Sequence, residues 1–362
     1  MRSRPRKVAM TTIGLEEEFM LLDPRTLAPV GRAAEVIEAV RVTVHAPFVT
    51  SEFYASQLEY ASPILSTSED ASRELGSFRV ALAEIATRLG VVAAGVGLPF
   101  DVTDDARLTP GARYLDIADH FGAIVADHQL NGLHVHVGVP DREAAIRASN
   151  RLRPWLPALL ALSGNSPFWH GRDTGFASWR CIHIRRWTTS GIPPYFRDAD
   201  DYDARATRLL GVGGTTDIGT LNWAARPSAK YPTVEVRVFD AQLDATTSIP
   251  LALLTRGVIA SPSDDDEPAL PQELLDAALW HAARYGMSAG LVDPASGSMR
   301  PAAEVVRRLL QVAKPGLEAH GDHERVAAFV DRTIADGTGA DRQRRAYARG
   351  GRDGLGDLLA HL

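Results

Sequence analysis

Three segments that lie far apart in this 362-residue chain share one pattern, in which aliphatic residues alternate with residues that bind metals or phosphate. Successive side chains of a β-strand point to opposite faces of the sheet. The segment Thr233–Asp240 therefore places its valines on one face and Glu235 and Arg237 on the other. Such a strand can bury one face in a core and present a carboxylate and a guanidinium on the other.

The same alternation occurs in Thr12–Asp23 near the N-terminus and in Leu133–Val139 in the middle of the chain. In both segments aliphatic residues form one face, and the N-terminal segment also places Glu17 there. The opposite faces carry Glu16, Glu18, His134 and His136. A single polar strand face is most simply a solvated surface. Three faces whose polar positions are Glu/Glu, His/His and Glu/Arg indicate a shared cavity.

Glutamate and histidine in one cavity suit divalent cations, because carboxylates bind Mg²⁺ or Mn²⁺ and histidine also binds Mn²⁺ or Zn²⁺. A single zinc ion would not need so many carboxylates, whereas two or more hard cations held with nucleotide phosphates would. The guanidinium of Arg237 matches phosphate oxygens. Two simpler interpretations stay open. Arg237 can pair with Glu235 or Glu18 to stabilise the sheet, and one histidine can support a ligand by hydrogen bonding.

Length and composition narrow the classes of protein. With 45% hydrophobic residues, the chain can bury the core of one large domain or two. A net charge of -6 does not suggest a nucleic-acid-binding protein. No apolar run approaches the ~18–20 residues of a transmembrane helix, and the basic start, Met1–Lys7, is not followed by an apolar signal segment. The single cysteine, Cys181, excludes an internal disulfide. We therefore expect a cytoplasmic protein without nucleic-acid or membrane partners.

Apolar periodicity and turn signals predict an α+β chain in which strands are followed by helices, rather than regular βαβ alternation. Ser68 is predicted to cap a helix that stops at Gly90. Residues 91–98 are predicted as a strand and residues 164–197 as a long loop. The glycine-rich segment 211–216 lacks the lysine of a phosphate-binding loop. Further helices are predicted at residues 32–44, 112–127, 142–163 (kinked at Pro154 and Pro157), 199–210, 246–260, 271–285, 302–313 and 322–336, and an exposed loop at 264–267.

Several motifs occur together in one order along nearly the whole chain. They are Gly14–Phe19, Ser56–Glu59, Asn131–Gly138, Asn165–Trp169 with Gly171–Asp173, Ala177–Arg180, Arg226–Ser228 and Thr233–Asp240. Each motif alone is weak, but their ordered combination is specific. On these motifs the chain resembles the carboxylate–amine ligase family, the type 2 glutamate–cysteine ligases, which are related to glutamine synthetase.

The resemblance implies a glutamine-synthetase-like catalytic fold, with an antiparallel sheet curled into a half-barrel and helices packed outside. It implies a flexible tail at residues 1–10 followed by a single catalytic domain at 11–362. It also implies an ATP- and Mg²⁺-dependent ligase that forms an amide through an acyl phosphate, with Mn²⁺ as an alternative cation. The expected substrates are a carboxylate, glutamate first, and an amine, cysteine by family name alone. A homodimer is expected from the behaviour of relatives.

The resemblance also implies residue roles. The expected metal ligands are Glu16, Glu18, Glu59, His134 and Glu235. His136 is expected near the phosphates, Arg237 on the transferred phosphoryl group, and Arg180 and Arg226 on nucleotide phosphate or substrate carboxylate. Glu52 matches an acidic position whose role stays open. Ala224 and Pro232 depart from the family pattern near the expected substrate end, which puts substrate identity in doubt more than the chemistry.

Three other classes of function stay open at this point. Guanidino kinases are built on a related fold and would phosphorylate a guanidine without forming an amide. A non-catalytic relative would bind a nucleotide or metabolite without turnover, although the chain retains all the candidate metal residues. A metal-dependent hydrolase would need no ATP.

Overall fold

The computed structural model describes residues 11–102, 106–262 and 270–361. The predicted tail at residues 1–10 and the predicted loop at 264–267 lie outside the described residues. Of the helices in the described part of the chain, none is both long enough and apolar enough to cross a membrane.

One open antiparallel sheet of seven strands organises the molecule. The strands of the chain are β1 (Ile13–Leu22), β2 (Val49–Ser51), β3 (Gln57–Ala61), β4 (Val92–Ala94), β5 (Gly132–Gly138), β6 (Phe168–Trp169), β7 (Arg172–Asp173), β8 (Ala225–Pro227), β9 (Thr233–Asp240), β10 (Gly290–Asp293) and β11 (Ser298–Pro301). The main sheet has the order β2-β3-β1-β5-β9-β8, and β4 pairs with β1 beyond this path. Strands β6 with β7 and β10 with β11 form two separate two-stranded sheets.

Helices connect and flank the strands. They are α1 (Ala33–Val40), α2 (Ser68–Leu89), α3 (Ala112–Phe121), α4 (Arg142–Leu152), α5 (Leu156–Ser163), α6 (Trp179–Ile184), α7 (Ala199–Gly211), α8 (Ala245–Ala260), α9 (Gln272–Tyr285), α10 (Ala302–His320), α11 (His323–Asp336) and α12 (Gly339–Leu359). The aliphatic residues of β1, β5 and β9 pack with those of α2, α5, α8 and α10 in one buried core. Each fully buried aliphatic side chain in this core contributes about 1.5–3 kcal/mol.

The alternation predicted from the sequence is therefore present in all three central strands. On β1, Leu15 and Phe19 are buried in the core, while Glu16 and Glu18 lie on the opposite face. A shift of one residue in strand pairing would exchange the two faces, so the burial of the aliphatic set fixes the pairing that positions the carboxylates.

Glu17 lies on the apolar face of β1, and its charge is balanced there. Its carboxylate accepts hydrogen bonds from Nε of Arg79 at 3.0 Å and Nη2 of Arg79 at 2.6 Å, and from Oγ of Ser248 at 2.5 Å. Arg79 also donates to the backbone carbonyls of Gln242 and Leu243. Buried charges are tolerated when they are paired and hydrogen-bonded in this way. The pair attaches β1 to α2 and to the start of α8.

Helix α2 shows how local signals set the predicted boundaries. Thr67 is the N-cap, and it forms a capping box with Asp70, so the predicted cap at Ser68 is wrong by one residue. The helix ends at Gly90, which adopts a left-handed conformation with φ 66° as predicted for a glycine stop.

Three predicted ranges need correction. The strand expected at 91–98 is confined to β4, and the loop expected at 164–197 contains β6, β7 and α6. The helix expected at 302–313 continues through Pro315 to His320, because its apolar stripe remains buried against α8 beyond the proline. The backbones approach closely there, since a Cβ on Gly316 would lie 2.3 Å from the Gly257 carbonyl oxygen. Helix α12 was not among the predicted helices.

Candidate active site

Strand pairing brings the polar faces of the predicted strands side by side. Glu16 of β1 lies opposite His134 of β5, and Glu18 of β1 lies opposite Glu59 of β3. On the other side of β5, His136 lies opposite Glu235 of β9. The prediction that distant segments converge on one face is therefore met by the register of the sheet.

Two histidines hold the Glu16 carboxylate from the same side. Nδ1 of His134 lies 3.1 Å from one oxygen, and Nε2 of His136 lies 3.2 Å from the other. Burial alone would raise the pKa of Glu16, but the hydrogen bonds and charge interactions with both imidazoles hold this pKa well below its ordinary value. Glu16 is therefore ionised at neutral pH, and it lies at the centre of the polar face.

Two sets of three ligand atoms could each hold a cation, and Glu16 belongs to both. One set consists of Glu16, Glu59 and His134, and the other of Glu16, His136 and Glu235. Within each set the ligand atoms lie within 4.8 Å of one another. Carboxylate oxygens with one imidazole suit Mg²⁺ or Mn²⁺.

Crowding of carboxylates beside these sets supports the fit of a cation. Burial raises the pKa of Glu18 to about 8, and the charge of Glu52 adds to the effect. Burial also raises the pKa of Glu59 well above its ordinary value, helped by the charges of Glu16, Glu52 and Glu18. Burial likewise raises the pKa of Glu52. Carboxylates placed so closely repel one another, and a divalent cation removes that repulsion. The residues present therefore fit a resident cation.

Glu235 is held between two arginines. Nε of Arg226 donates to its Oε2 at 3.0 Å, and Nη1 of Arg237 donates to its Oε1. Burial would raise the pKa of Glu235, but Arg237 and then Arg226 lower it well below its ordinary value. Arg226 also donates to the backbone carbonyls of Ile218 and Gly219, at 3.1 and 3.0 Å. This set of contacts favours Arg226 as a support for Glu235, and its predicted contact with a substrate stays a prediction.

A cavity of about 230 Å³ opens over the polar face. It is lined by six of the predicted residues and by Glu52, whose role the sequence left open. The predicted residues that line it are Glu16, Glu18, Glu59, His134, Arg180 and Arg237. Three predicted residues are not among the described lining residues: His136, Glu235 and Arg226. Two of them, His136 and Glu235, still form one set of candidate cation ligands with Glu16. Arg237 lies 3.4 Å from His134, measured from Nη1 to Nδ1.

The cavity also has aromatic and aliphatic lining residues, which the sequence pattern did not predict. Its lining residues include Phe53, Tyr114, Ile117 and Trp187, together with His128. Burial lowers the pKa of His128 well below its ordinary value, with the Arg186 and His183 charges adding to this, so the imidazole is neutral. The available signals were indirect: Phe53 follows Glu52, and His128 stands shortly before the predicted histidine strand.

Comparison with solved structures defines the class of fold. A glutamate–cysteine ligase from Francisella tularensis, solved in complex with AMP, is similar with a TM-score of 0.72 at 13% identity, covering 98% of this chain and 88% of that chain. A bifunctional glutathione synthetase from Pasteurella multocida is similar with a TM-score of 0.69 at 15% identity, covering 96% of this chain and 52% of that chain. The fold is accordingly the α+β, glutamine-synthetase-like ligase fold predicted from the sequence.

Comparison with other sequences defines the family. The model of glutamate-cysteine ligase family 2 matches residues 12–361. A Nocardia farcinica protein with the provisional name glutamate–cysteine ligase 2-1 is 41% identical over 343 residues, which are 93% of this chain and 88% of that protein. A Salinispora arenicola protein with the provisional name glutamate–cysteine ligase 2 is 40% identical over 361 residues, 98% of this chain and 95% of that protein. The chain belongs to glutamate–cysteine ligase family 2, and it is an ATP-dependent ligase.

Proposed function

We propose that this protein joins the γ-carboxylate of glutamate to an amine, with cysteine as the first candidate, and that it uses ATP and Mg²⁺ to do so. The observation that carries the proposal is the convergence of Glu16, Glu59 and His134 with Arg237 and Arg180 in one cavity. Such a site combines cation ligands with two guanidinium groups. A ligase that phosphorylates a carboxylate needs both, because the reactants are anionic.

The proposed reaction has two steps that balance. A carboxylate oxygen of the acid attacks the γ-phosphorus of ATP, which gives an acyl phosphate and ADP. The amine nitrogen then attacks the acyl carbon, phosphate leaves, and the amine gives up a proton as the amide forms. Mg²⁺ held by the candidate cation ligands would supply positive charge to the phosphate oxygens.

The residues of the chain have distinct tasks in this proposal. Glu16, Glu59 and His134 would hold one cation, and His136 and Glu235 would hold another together with Glu16. The sequence predicts Glu18 as a direct cation ligand. Its Oε1 lies 3.6 Å from Nε2 of His134, and its Oε2 accepts the backbone N–H of Gly132 at 2.6 Å. We place Glu18 beside the cation ligands, where it orients His134.

We assign Arg237 to the transferred phosphoryl group, and its surroundings support this assignment. Its guanidinium is fixed by Glu235 on one side and lies near His134 on the other. The negative charges around it, Glu235 first, hold its pKa above the ordinary value against the effect of burial. It is therefore a permanent cation beside the cation ligands. A fixed guanidinium stabilises charge on a phosphoryl group without reorganisation during the reaction.

An activity assay with a panel of amines tests the proposal. The protein is incubated with ATP, Mg²⁺, glutamate and one amine at a time, cysteine included, while phosphate release and product mass are followed. Phosphate and a new amide should appear in equal amounts, and only when acid and amine are both present. A phosphorylated guanidine, or cleavage of a substrate without ATP, would contradict the proposal. So would nucleotide binding without turnover for every amine tested.

A matched pair of variants links the activity to the site. Glu16→Gln should abolish amide formation, because Glu16 belongs to both sets of cation ligands. Glu38→Gln makes the same chemical change on a side chain that is 69% exposed and paired only with Arg41 among the described ion pairs. This control should form amide at the wild-type rate.

A further inference from the structure

Asp240, the last residue of β9, is a fully buried carboxylate outside both sets of cation ligands. Its Oδ2 accepts hydrogen bonds from the backbone N–H of Asn165 at 2.8 Å and from Oγ of Ser166 at 2.7 Å. Its Oδ1 accepts a hydrogen bond from Oγ of Ser178 at 2.7 Å and lies 3.9 Å from Nη1 of Arg180. Every one of these contacts comes from the segment that leads into α6 or from α6 itself.

The two serines connect Asp240 to the backbone of α6. Oγ of Ser166 accepts the backbone N–H of Arg180 at 3.0 Å, while Oγ of Ser178 accepts the backbone N–H of Cys181 at 3.1 Å. Each hydroxyl therefore donates to Asp240 and accepts from the first turn of the helix. The carboxylate thus fixes both the backbone from which Arg180 extends and the guanidinium at its end.

Glycines provide the space for this arrangement. A Cβ on Gly97 would lie 2.7 Å from Cγ of Asp240, which is too close for any side chain. A Cβ on Gly132 would lie 2.5 Å from Nη2 of Arg180 and 3.0 Å from Nε2 of His134. The Arg180 guanidinium therefore lies directly over the end of β5, beside a predicted cation ligand, at a place that only glycine leaves open.

Arg180 reaches the cavity with few other polar partners. It is 3% exposed, and its Nη2 donates weakly to the Arg237 carbonyl oxygen at 3.5 Å. Among the described contacts, Asp240 is the acidic side chain within ion-pair distance of it. A buried guanidinium with one distant counter-charge has N–H groups left to bind an anionic ligand. Its position in turn depends on that counter-charge, because an unpaired buried charge is unfavourable.

We propose that Asp240 is a positioning residue that holds Arg180 over Gly132, so that Arg180 binds an anionic group of the substrates in the cavity. The anionic group is a nucleotide phosphate or the carboxylate of the acid. The inference rests on the proposed function for the identity of these ligands. Its geometric part, that Asp240 acts through Arg180, does not depend on turnover.

Gln343 of helix α12 supports Asn165, whose backbone N–H binds Asp240. Nε2 of Gln343 donates to the Asn165 backbone carbonyl at 2.9 Å and to Oδ1 of Asn165 at 2.7 Å. Nδ2 of Asn165 in turn donates to the carbonyls of Gly95 and Ala241, at 2.9 and 2.7 Å. Gln343 therefore fixes the residue whose N–H binds Asp240. Arg344, the next residue of α12, pairs with the exposed Asp173 instead.

A double-mutant cycle tests the inference. Arg180→Ala, Asp240→Asn and the double variant are compared for kcat, for the KM of ATP and of glutamate, and for calorimetric binding of Mg-ADP and of glutamate. Asp240→Asn should weaken the same ligand as Arg180→Ala, with about a 100-fold loss in kcat/KM. In the Arg180→Ala background, Asp240→Asn should add less than about a 2-fold further loss. Losses that multiply, or losses on different ligands, would overturn the inference.

Further variants separate positioning from general stability. Asp322→Asn removes the carboxylate of another buried Asp–Arg pair, with Arg256, and should lower stability while leaving both KM values unchanged. If Asp240→Asn does not fold, Ser166→Ala replaces it in the cycle, because it removes one contact to Asp240 and one to Arg180. On α12, Gln343→Leu should raise the KM that depends on Arg180, whereas Arg344→Ala should not. An equal effect of these two variants would contradict the role of Gln343.

The failure of this inference and the failure of the proposed function are distinguishable. If the wild-type protein binds Mg-ADP or glutamate but forms no amide, the proposed function fails. The double-mutant cycle can then still measure the coupling of Asp240 and Arg180 through ligand binding. If amide forms but neither binding nor KM depends on Arg180, the positioning role fails and the proposed function stands.

Discussion

The crowding of carboxylates in the cavity predicts that Glu18→Gln stabilises the metal-free protein, and more so as pH rises. Glu18 is 7% exposed, and burial with the Glu52 charge raises its pKa from 4.5 to about 8. Glutamine keeps an oxygen that can accept the Gly132 N–H, as Glu18 does at 2.6 Å. The substitution therefore removes the unfavourable charge while it retains the hydrogen bond.

The sign and size of the effect follow from proton linkage. Between pH 4.5 and about 8 the folded protein holds a proton on Glu18 that the unfolded chain has lost. Unfolding releases this proton, so the free energy of unfolding falls as pH rises, by up to about 1.4 kcal/mol per pH unit. Burial lowers the pKa of His134 and of His183 from 6.5 to about 4, which destabilises the fold only below pH 6.5. Between pH 6.5 and 8 these two histidines therefore do not contribute to the pH dependence of the free energy of unfolding, whereas Glu18 does.

Urea unfolding in EDTA at pH 6.5 and pH 8 measures this effect. Relative to wild type, Glu18→Gln should gain on the order of 2 kcal/mol between these two pH values. Glu17→Gln is the matched control on the same strand. It should lose about 3–5 kcal/mol, because it breaks the buried pair with Arg79. A Glu18→Gln variant that is no more stable than wild type at pH 8, or whose gain does not grow with pH, would refute the reasoning.

Three further predictions test other parts of the account. Glu235→Gln should abolish amide formation in the activity assay and cost about 3 kcal/mol in urea unfolding, because Arg226 and Arg237 lose their buried counter-charge; full activity would remove Glu235 from the site. Burial raises the pKa of the Cys181 thiol to about 12, so DTNB should not label the native protein at pH 8 and should label it fully in urea. Thr67→Ala should lower the free energy of unfolding by about 1 kcal/mol through loss of the α2 cap, and an unchanged value would contradict the capping box.

Much of the fold and site could be predicted from alternation along single strands. Because Glu16 and Glu18 share one face of β1 and the aliphatic residues the other, burial of the latter positions the former. The same reasoning applies to His134 and to Glu235. Partners across the sheet could not be read from one strand, since they depend on register. The break in the β5–β9 pairing between Leu133 and Val135, beside His134, gives no signal in the sequence.

The rest depends on tertiary contacts between segments of unremarkable composition. Arg79 appears in a helical pattern as one more charged residue, and only the fold shows that it neutralises Glu17. Asp240 ends a strand motif without an evident role until Ser166 and Ser178 surround it. Helix α12 was not predicted, because its second half is rich in glycine. The helix has non-helical backbone angles at Gly350 and Gly351, and its end is held by packing of Leu355 and Leu359 against β1 and β4.

The proposed chemistry requires that the polar face of the sheet binds divalent cations through Glu16. Titration of the protein with Mn²⁺, followed by EPR of the free ion in the presence of ADP, measures this directly. Wild type and Glu38→Gln should bind Mn²⁺ alike, and Glu16→Gln, which affects both ligand sets, should lose the binding. Unchanged Mn²⁺ affinity and stoichiometry in a folded Glu16→Gln variant would contradict this prediction.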